Sequence, residues 1–330
     1  MLIFFFVILN ILIILFEKPL SKLINIYDIP NKRKIHKKKI PRIGGLYLFI
    51  NIFFYWLFLN HSQIYTISSI DLYSDNLFYI SLCFIFFLGF LDDKIQLNFK
   101  YKLLGSILIV ILLLYFEKEM ILKIIKFKNI DYLIILHSYD FFFTTLCFII
   151  FINALNMFDG INGQAILYSL TLLIVLSLNY GIESFFIYTI MISLIGILYL
   201  NLKNKLFLGD GGTLLLGFVL SYTFVSVYNS NKTDIFCDEI FLLMLLPGID
   251  MIRLFVSRIA KKQNPFKADS NHFHHYLIRK FSYNKSIFIS TNLYCVPIIL
   301  YYFFNINFFV CLGFAILSYI LLFNYISTSR

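Results

Sequence analysis

Eleven apolar runs constrain this chain more than any other feature. They fall at roughly 2–16, 44–60, 77–91, 101–116, 141–157, 163–179, 184–201, 213–228, 239–257, 286–304 and 307–326. A run of about 17–25 apolar residues crosses a bilayer as a helix, because a helix satisfies its backbone polar groups within one segment. The shorter runs need help from flanking residues. Composition agrees: 60% of the 330 residues are hydrophobic and only 14% are charged, with mean hydropathy +0.83. A soluble domain carries about a quarter charged residues. The longest gaps, 17–43, 117–140 and 258–285, are too short for a soluble domain. The expectation is an all-α polytopic membrane protein of about 10–11 transmembrane helices, one domain over residues 1–330.

The formal net charge is +10. In a membrane protein such an excess marks cytoplasmic loops, so it does not call for nucleic acid as a partner. Alternating the runs across the bilayer from an outside N-terminus puts 22 Lys and Arg inside and five outside, with Arg253 within a run. That distribution predicts an N-out, C-in topology. The first run has no basic residues before it and no small-residue cleavage site after it, so it reads as a retained helix rather than a signal peptide. Four of the outside charges lie in 117–134, whose KIIKFKNIDYLI portion reads as a short hairpin on the outer face or an interfacial helix. The five cysteines are scattered, with no CxxC pair, and read as neither zinc ligands nor disulfides.

This parity gathers the unusual polar stretches on one side. They are DIPNKRKIHKKKIPRIGG (28–45), GFLDDK (89–94), NALNMFDGINGQ (153–164), LFLGDGGT (206–213) and PFKADSNHFHHYL (265–277). No comparable cluster is expected on the outer side. Polar groups beside lipid are costly and usually functional, so one cytoplasm-facing site is expected. Its carboxylates are Asp92, Asp93, Asp159, Asp210, Asp250 and Asp269; its histidines are His36, His272, His274 and His275. Carboxylates converging on one pocket repel unless a cation lies between them. Hard oxygen donors with few cysteines suit Mg²⁺ or Mn²⁺, which complete their shell with substrate phosphate.

Each stretch also has a purely structural reading. Asp92 and Asp93 suit a loop cap. Asn153, Asn156 and Asp159, three residues apart, suit a frayed helix end. Asp210 suits a helix N-cap, or the amides after it suit a phosphate. HFHH suits phosphate contact or acid–base work better than zinc, since adjacent His274 and His275 do not share one helix face. KRKIHKKK suits topology alone.

Taken in order, these motifs resemble one family, the polyprenyl-phosphate N-acetylhexosamine-1-phosphate transferases. The resemblance covers nearly the whole chain. DIPNKRKIHKKKIPRIGG resembles the family's first loop, D-x-P-N-x-R-K-x-H-x-x-x-x-P-R-x-G-G. GFLDDK carries its aspartate pair, and Lys102 its following helix-start lysine. NALNMFDGINGQ resembles N-x-x-N-x-x-D-G-x-D-G-L, FLGDGGTLLLG resembles F-x-G-D-x-G-S/T-L-x-L-G, and ADSNHFHHYL resembles D-x-x-H-x-H-H-x-L. The resemblance implies transfer of a sugar phosphate from a UDP-amino sugar to undecaprenyl phosphate in a bacterial inner membrane, with release of UMP. Such a reaction initiates a lipid-linked glycan of the O-antigen or cell-wall type. It implies Mg²⁺ at Asp210 with Asp159 and Asp93 close by, and Asp92 positioning or deprotonating the acceptor phosphate. Either direct attack or an aspartyl-phosphate intermediate fits. His274 and His275 join the catalytic set. Arg33, His36, Lys102, Asn153, Asn156, Asn162, Phe207 and His272 join the substrate-binding set, with Phe207 stacking on uracil. A homodimer is implied by the family alone.

Two departures stand out. The second aspartate of D-G-x-D-G is Asn162, followed by Gln164 where the family has an apolar residue, and Gln96 stands where initiators often carry an acid. The Asn form looks like certain O-antigen initiators that use modified UDP-HexNAc sugars, so Asn162 is expected to mark donor choice. A transporter or flippase of an anionic or lipid-linked solute predicts polar groups at mid-membrane, which the runs lack. A CDP-alcohol phosphotransferase predicts an arginine after Asp159-Gly160, where the chain has INGQAIL.

Overall fold

The computed structural model describes residues 2–30, 38–61, 76–130, 132–182, 184–230, 234–264 and 271–328. Arg33, His36 and Asp269 lie outside them. Eleven helices coincide with the eleven apolar runs: α1 (Leu2–Leu15), α3 (Gly44–His61), α4 (Asn76–Ile95), α5 (Phe99–Phe116), α6 (Asp140–Phe158), α7 (Gln164–Tyr180), α8 (Phe185–Leu202), α9 (Gly209–Asn229), α10 (Cys237–Ala260), α12 (Tyr283–Tyr302) and α13 (Phe308–Ser327). Two short amphipathic helices, α2 (Glu17–Ile24) and α11 (Phe273–Lys280), join them. The protein is an all-α polytopic membrane protein. Six helices, α5, α6, α8, α9, α10 and α13, are each long and apolar enough to cross a membrane; α1 and α2, bent by 67°, make a possible seventh span as a pair. This is fewer than the sequence predicts. The α4 helix ends in Asp92, Asp93 and Lys94, α12 begins with polar residues, and α3 and α7 are short.

The bundle is built around α9, whose side chains are almost all buried. It packs most extensively on α4 and α6, and also on α3. Lipid supplies no hydrophobic drive between helices, so close packing and polar pairs do the holding. Gly217 lets α9 approach α6 until a Cβ there would lie 2.8 Å from Ile152 Cα. Between α1 and α3, buried Asn10 donates to the Asn51 side chain at 2.9 Å.

Two small antiparallel sheets decorate opposite ends of the bundle. Strands β1 (Tyr27–Asp28) and β2 (Ile40–Pro41) pair Tyr27 with Pro41 and Asp28 with Ile40. Strands β3 (Ile124–Phe127) and β4 (Tyr132–Ile135) pair Ile124 with Ile135 and Phe127 with Tyr132. The hairpin alternative therefore holds for this segment. The turn before α9 is stitched to the β2–α3 junction by backbone bonds. Phe207 N donates to Pro41 O at 2.8 Å, and Gly44 N and Gly45 N donate to Phe207 O and Leu208 O at 3.0 and 2.9 Å.

Candidate active site

A cavity of about 840 Å³ opens where α4 and α6 end and α9 begins. Arg42, Asp93, Asn156, Asp159, Asn162, Phe207, Asp210 and His275 line it, so all five polar stretches bring described residues to one place.

The four aspartates divide by what holds them. Asp93, in the last turn of α4, has a side chain only 2% exposed. Its two oxygens accept the amides of Asp210 and Gly211 at 2.9 Å each. Asp93 thus caps α9 from a neighbouring helix, the place where a carboxylate best offsets the orphan amides and the positive end of the dipole. This corrects two readings from sequence: Asp210 is not the cap, and those amides are not open to phosphate. Gly209 makes the arrangement possible. It has φ +74°, and a Cβ there would fall 2.6 Å from Asp93 Oδ2.

Asp92 is likewise engaged, accepting Leu97 N at 2.7 Å and Lys102 Nζ at 2.7 Å. Lys102 leans on Asp210 as well, at 3.6 Å. In the amide orientation that satisfies both its ends, Asn156 donates to Asp210 Oδ1 at 2.7 Å and accepts from Lys102 Nζ at 3.2 Å. Asp210 keeps a side chain 28% exposed toward the cavity. Asp159, the residue that ends α6, accepts no hydrogen bond from any described residue. Enclosure and the nearby charge of Asp210 push its carboxyl up to about 7, against the pull of Arg42. Asp159 and Asp210 are therefore the carboxylates with capacity for a ligand.

Among the described residues, no three His, Cys, Asp or Glu stand close enough to hold a metal by themselves. The donor set suits Mg²⁺, which takes one or two carboxylates and fills its shell with water and phosphate.

Other expected residues are placed as follows. Asn153, a turn before Asn156, donates to Ile149 O at 2.7 Å and does not line the cavity. Phe207 lines it, half-buried. His274 is buried against Gly160, where a Cβ would lie 2.0 Å from its ring. Burial, with Arg253 and two other histidines nearby, holds His274 well below the usual histidine range. His275 faces the cavity, and His272 sits 3.8 Å from Asp250. The side chain of Asn162 donates to Asn201 O and Asn204 Oδ1 at 3.1 and 2.8 Å. Gln164 bonds Ser290 of α12 at 2.9 Å. Gln96, with φ +51°, is exposed outside the cavity lining.

Sequence reasoning missed Arg42, Lys38, Asn201, Asn204 and Tyr283, all of which line the cavity. Arg42 pairs with Asp28 across the β1–β2 sheet and lies 3.6 Å from Asp93. The first-loop motif held Arg42 and Lys38 in view. Nothing in the sequence set them apart from the other basic residues. A second polar cavity, of about 590 Å³, lies at the opposite end of the bundle among Lys128, Glu239, Tyr301 and Asn305. No such cluster was expected there. Asp238 and Glu239 fold under the β3–β4 hairpin, where Glu239 takes Lys128 and Tyr301 at 3.1 and 2.9 Å.

The fold and site together define a polytopic membrane protein with an acidic, cation-flanked cavity at one end of its bundle. Known proteins place that class more narrowly. Residues 76–228 match the family described as Glycosyl transferase family 4. A probable undecaprenyl-phosphate N-acetylglucosaminyl 1-phosphate transferase of Bacillus subtilis is 30% identical, covering 82% of this chain and 76% of the relative. The undecaprenyl-phosphate α-N-acetylglucosaminyl 1-phosphate transferases of Thermotoga maritima and Escherichia coli are 28% and 23% identical. They cover 79% and 86% of this chain, and 76% and 77% of their own lengths. The chain belongs to this family of polyprenyl-phosphate N-acetylhexosamine-1-phosphate transferases.

Proposed function

We propose that this protein transfers an N-acetylhexosamine 1-phosphate from a UDP-amino sugar to undecaprenyl phosphate, releasing UMP at the cytoplasmic face of a bacterial inner membrane. The product is the lipid-linked sugar diphosphate on which a surface glycan is built. One observation carries the reading: Asp159, which accepts no hydrogen bond from a described residue, and Asp210, part-exposed to the cavity, lie beside Arg42, Lys38 and Lys102 at the end of a bundle otherwise fit for lipid. A transporter has less support, since this cluster lies at helix ends.

Asp159 and Asp210 would hold Mg²⁺ or Mn²⁺, which when bound offsets negative charge on the diphosphate and the leaving UMP. Asp92 orients Lys102 toward Asp210, and Asp93 fixes the first turn of α9. Arg42 and Lys38, also in the cavity lining, supply positive charge for phosphate oxygens. Phe207 offers a ring face to the uracil, and His275 a donor to phosphate or sugar. A phosphate monoester has its second pKa near 6. The acceptor therefore arrives largely dianionic, and Asp92, whose oxygens are already engaged, acts by positioning. An acceptor oxygen attacks the sugar-bearing phosphorus in line, and the bond to the UMP oxygen breaks with its electron pair.

Membranes holding the protein are incubated with undecaprenyl phosphate, Mg²⁺ and a panel of UDP-HexNAc donors. UMP release that needs both lipid and metal and is lost in Asp210→Asn is the expected result; no release with any donor would refute the reading.

Donor choice has a local signature. Asn162 donates to a backbone carbonyl and to Asn204, two acceptors that a carboxylate would repel. Asn162→Asp is therefore expected to release the 201–204 turn and change the ranking of donors by about tenfold, on the scale of a site that leaves polar groups mismatched. An unchanged ranking across the panel counts against this role.

A further inference from the structure

Arg253 lies inside α10, within a run otherwise fit for lipid, and the reaction described above does not use it. Charge at such a place is costly and rarely idle. Its guanidinium joins three elements. Nη2 and Nε donate to Asp250 Oδ1 at 2.7 and 3.1 Å, and Asp250 is only 5% exposed. Nε also donates to the Tyr319 hydroxyl of α13 at 2.9 Å, while that hydroxyl donates to Asp250 at 2.8 Å. Nη2 reaches on to the backbone carbonyl of Asn271 at 2.9 Å. Asn271 immediately precedes the N-cap of α11, His272, whose ring lies 3.8 Å from the second oxygen of Asp250. Two residues later His274 presses on Gly160, and His275 enters the cavity.

We propose that Arg253, oriented by Asp250 and Tyr319, is a positioning residue that fixes the start of α11 and so sets His275 at the active site. The planar fork matters. A guanidinium donates at once to the carboxylate, the hydroxyl and the carbonyl, whereas a single ammonium cannot span the same three acceptors in that plane. Removing the guanidinium takes one donor from the carbonyl of Asn271 and with it the hydrogen bond that ties the start of α11 to Arg253 of α10.

A pair that merely stabilises the bundle would lower activity whatever stands at position 275. A positioning residue acting through α11 becomes silent once His275 is gone. The test uses the full-length protein in lipid nanodiscs, with Arg253→Met, Arg253→Lys, His275→Ala and the two double variants. Turnover is followed by UMP release, and the backbone by amide hydrogen exchange. Arg253→Met should lower kcat by at least about tenfold. Arg253→Met/His275→Ala should stay within about twofold of His275→Ala alone, the mark of coupled residues. Exchange over 271–280 should rise at least about tenfold while that of α9 stays the same. If Arg253→Met does not fold, Arg253→Lys, which keeps a charge opposite Asp250, should show the same non-additivity with a smaller loss. Multiplying effects, or unchanged exchange over 271–280, overturns the proposal. The turnover measurements rest on the transferase reading and the exchange measurements do not; an inactive wild type would refute that reading and leave exchange to decide this one.

Discussion

Asp159→Asn is expected to lower UMP release by roughly a thousandfold, the scale of losing a charged group that faces the reacting centre, while leaving the bundle folded. The reason is that no described residue uses this carboxylate as a structural partner. It is enclosed, it sits near Asp210, and its carboxyl is pushed up to about 7 from an ordinary value near 4. A raised carboxyl pKa means that the folded metal-free protein holds its proton more tightly than the unfolded chain does. The stability it contributes is present below about pH 4 and is lost as pH rises through about 7. Thermal unfolding of metal-free protein should therefore show this downward component between those limits, and Asp159→Asn should remove it. Added Mg²⁺ should raise the melting temperature of the wild type near pH 7 by more than that of the variant. Turnover within about tenfold of wild type would show that Asp159 does not face the reaction. Asp93→Asn should behave differently, because one of its oxygens becomes a donor aimed at an α9 amide. It should lose stability, by about 1–3 kcal/mol, together with activity.

Gly89→Ala is the second large expected effect, and its cause is purely steric. A Cβ on residue 89 would lie 2.5 Å from Asp210 O, with Asp210 C and Gly211 Cα both at 2.7 Å. All three are backbone atoms of the first turn of α9, so no side-chain rotation relieves the clash. The α4 helix must move away, and with it Asp92 and Asp93. That separates Asp93 from the α9 amides and Lys102 from Asp210 together. We expect about 1–3 kcal/mol of destabilisation, the usual range for overpacking, and a turnover loss on the order of a hundredfold, as for a misplaced reacting geometry. Gly313→Ala is the control: a Cβ there meets nothing within 4 Å, and both melting temperature and UMP release should match wild type. Retention of more than about a third of turnover in Gly89→Ala would mean that the α4–α9 spacing is not set by this contact.

Much of the site could be read from residue type and order. Asp159, Asp210, Asn156, Phe207 and His275 were all candidates, and all reach one cavity. What their types left open was how each is used. Asp92 and Asp93 are chemically alike and adjacent, yet one holds a loop and a lysine while the other caps a distant helix. Asn153 and Asn156 lie one turn apart, and only the second reaches Asp210. Arg42 and Lys38 were two basic residues among many until the β1–β2 sheet brought them to the cavity. The polar pocket under the β3–β4 hairpin escaped notice because its residues come from stretches far apart in the chain, which only packing brings together.

The amino-acid sequence by itself determined the membrane bundle. Apolar runs that long must bury their backbone polar groups in helices, and no tertiary detail changes this. It also determined the inventory of acids, amides and cations available to a site. Only the tertiary structure decided which of them stay open to a ligand. A carboxylate's role depends on the donors that surround it, and those donors come from elements far apart in the chain: α9 amides for Asp93, the first turn of α5 for Asp92, and no described donor for Asp159. Local sequence carries the chemistry of a group, whereas its partners are chosen by packing.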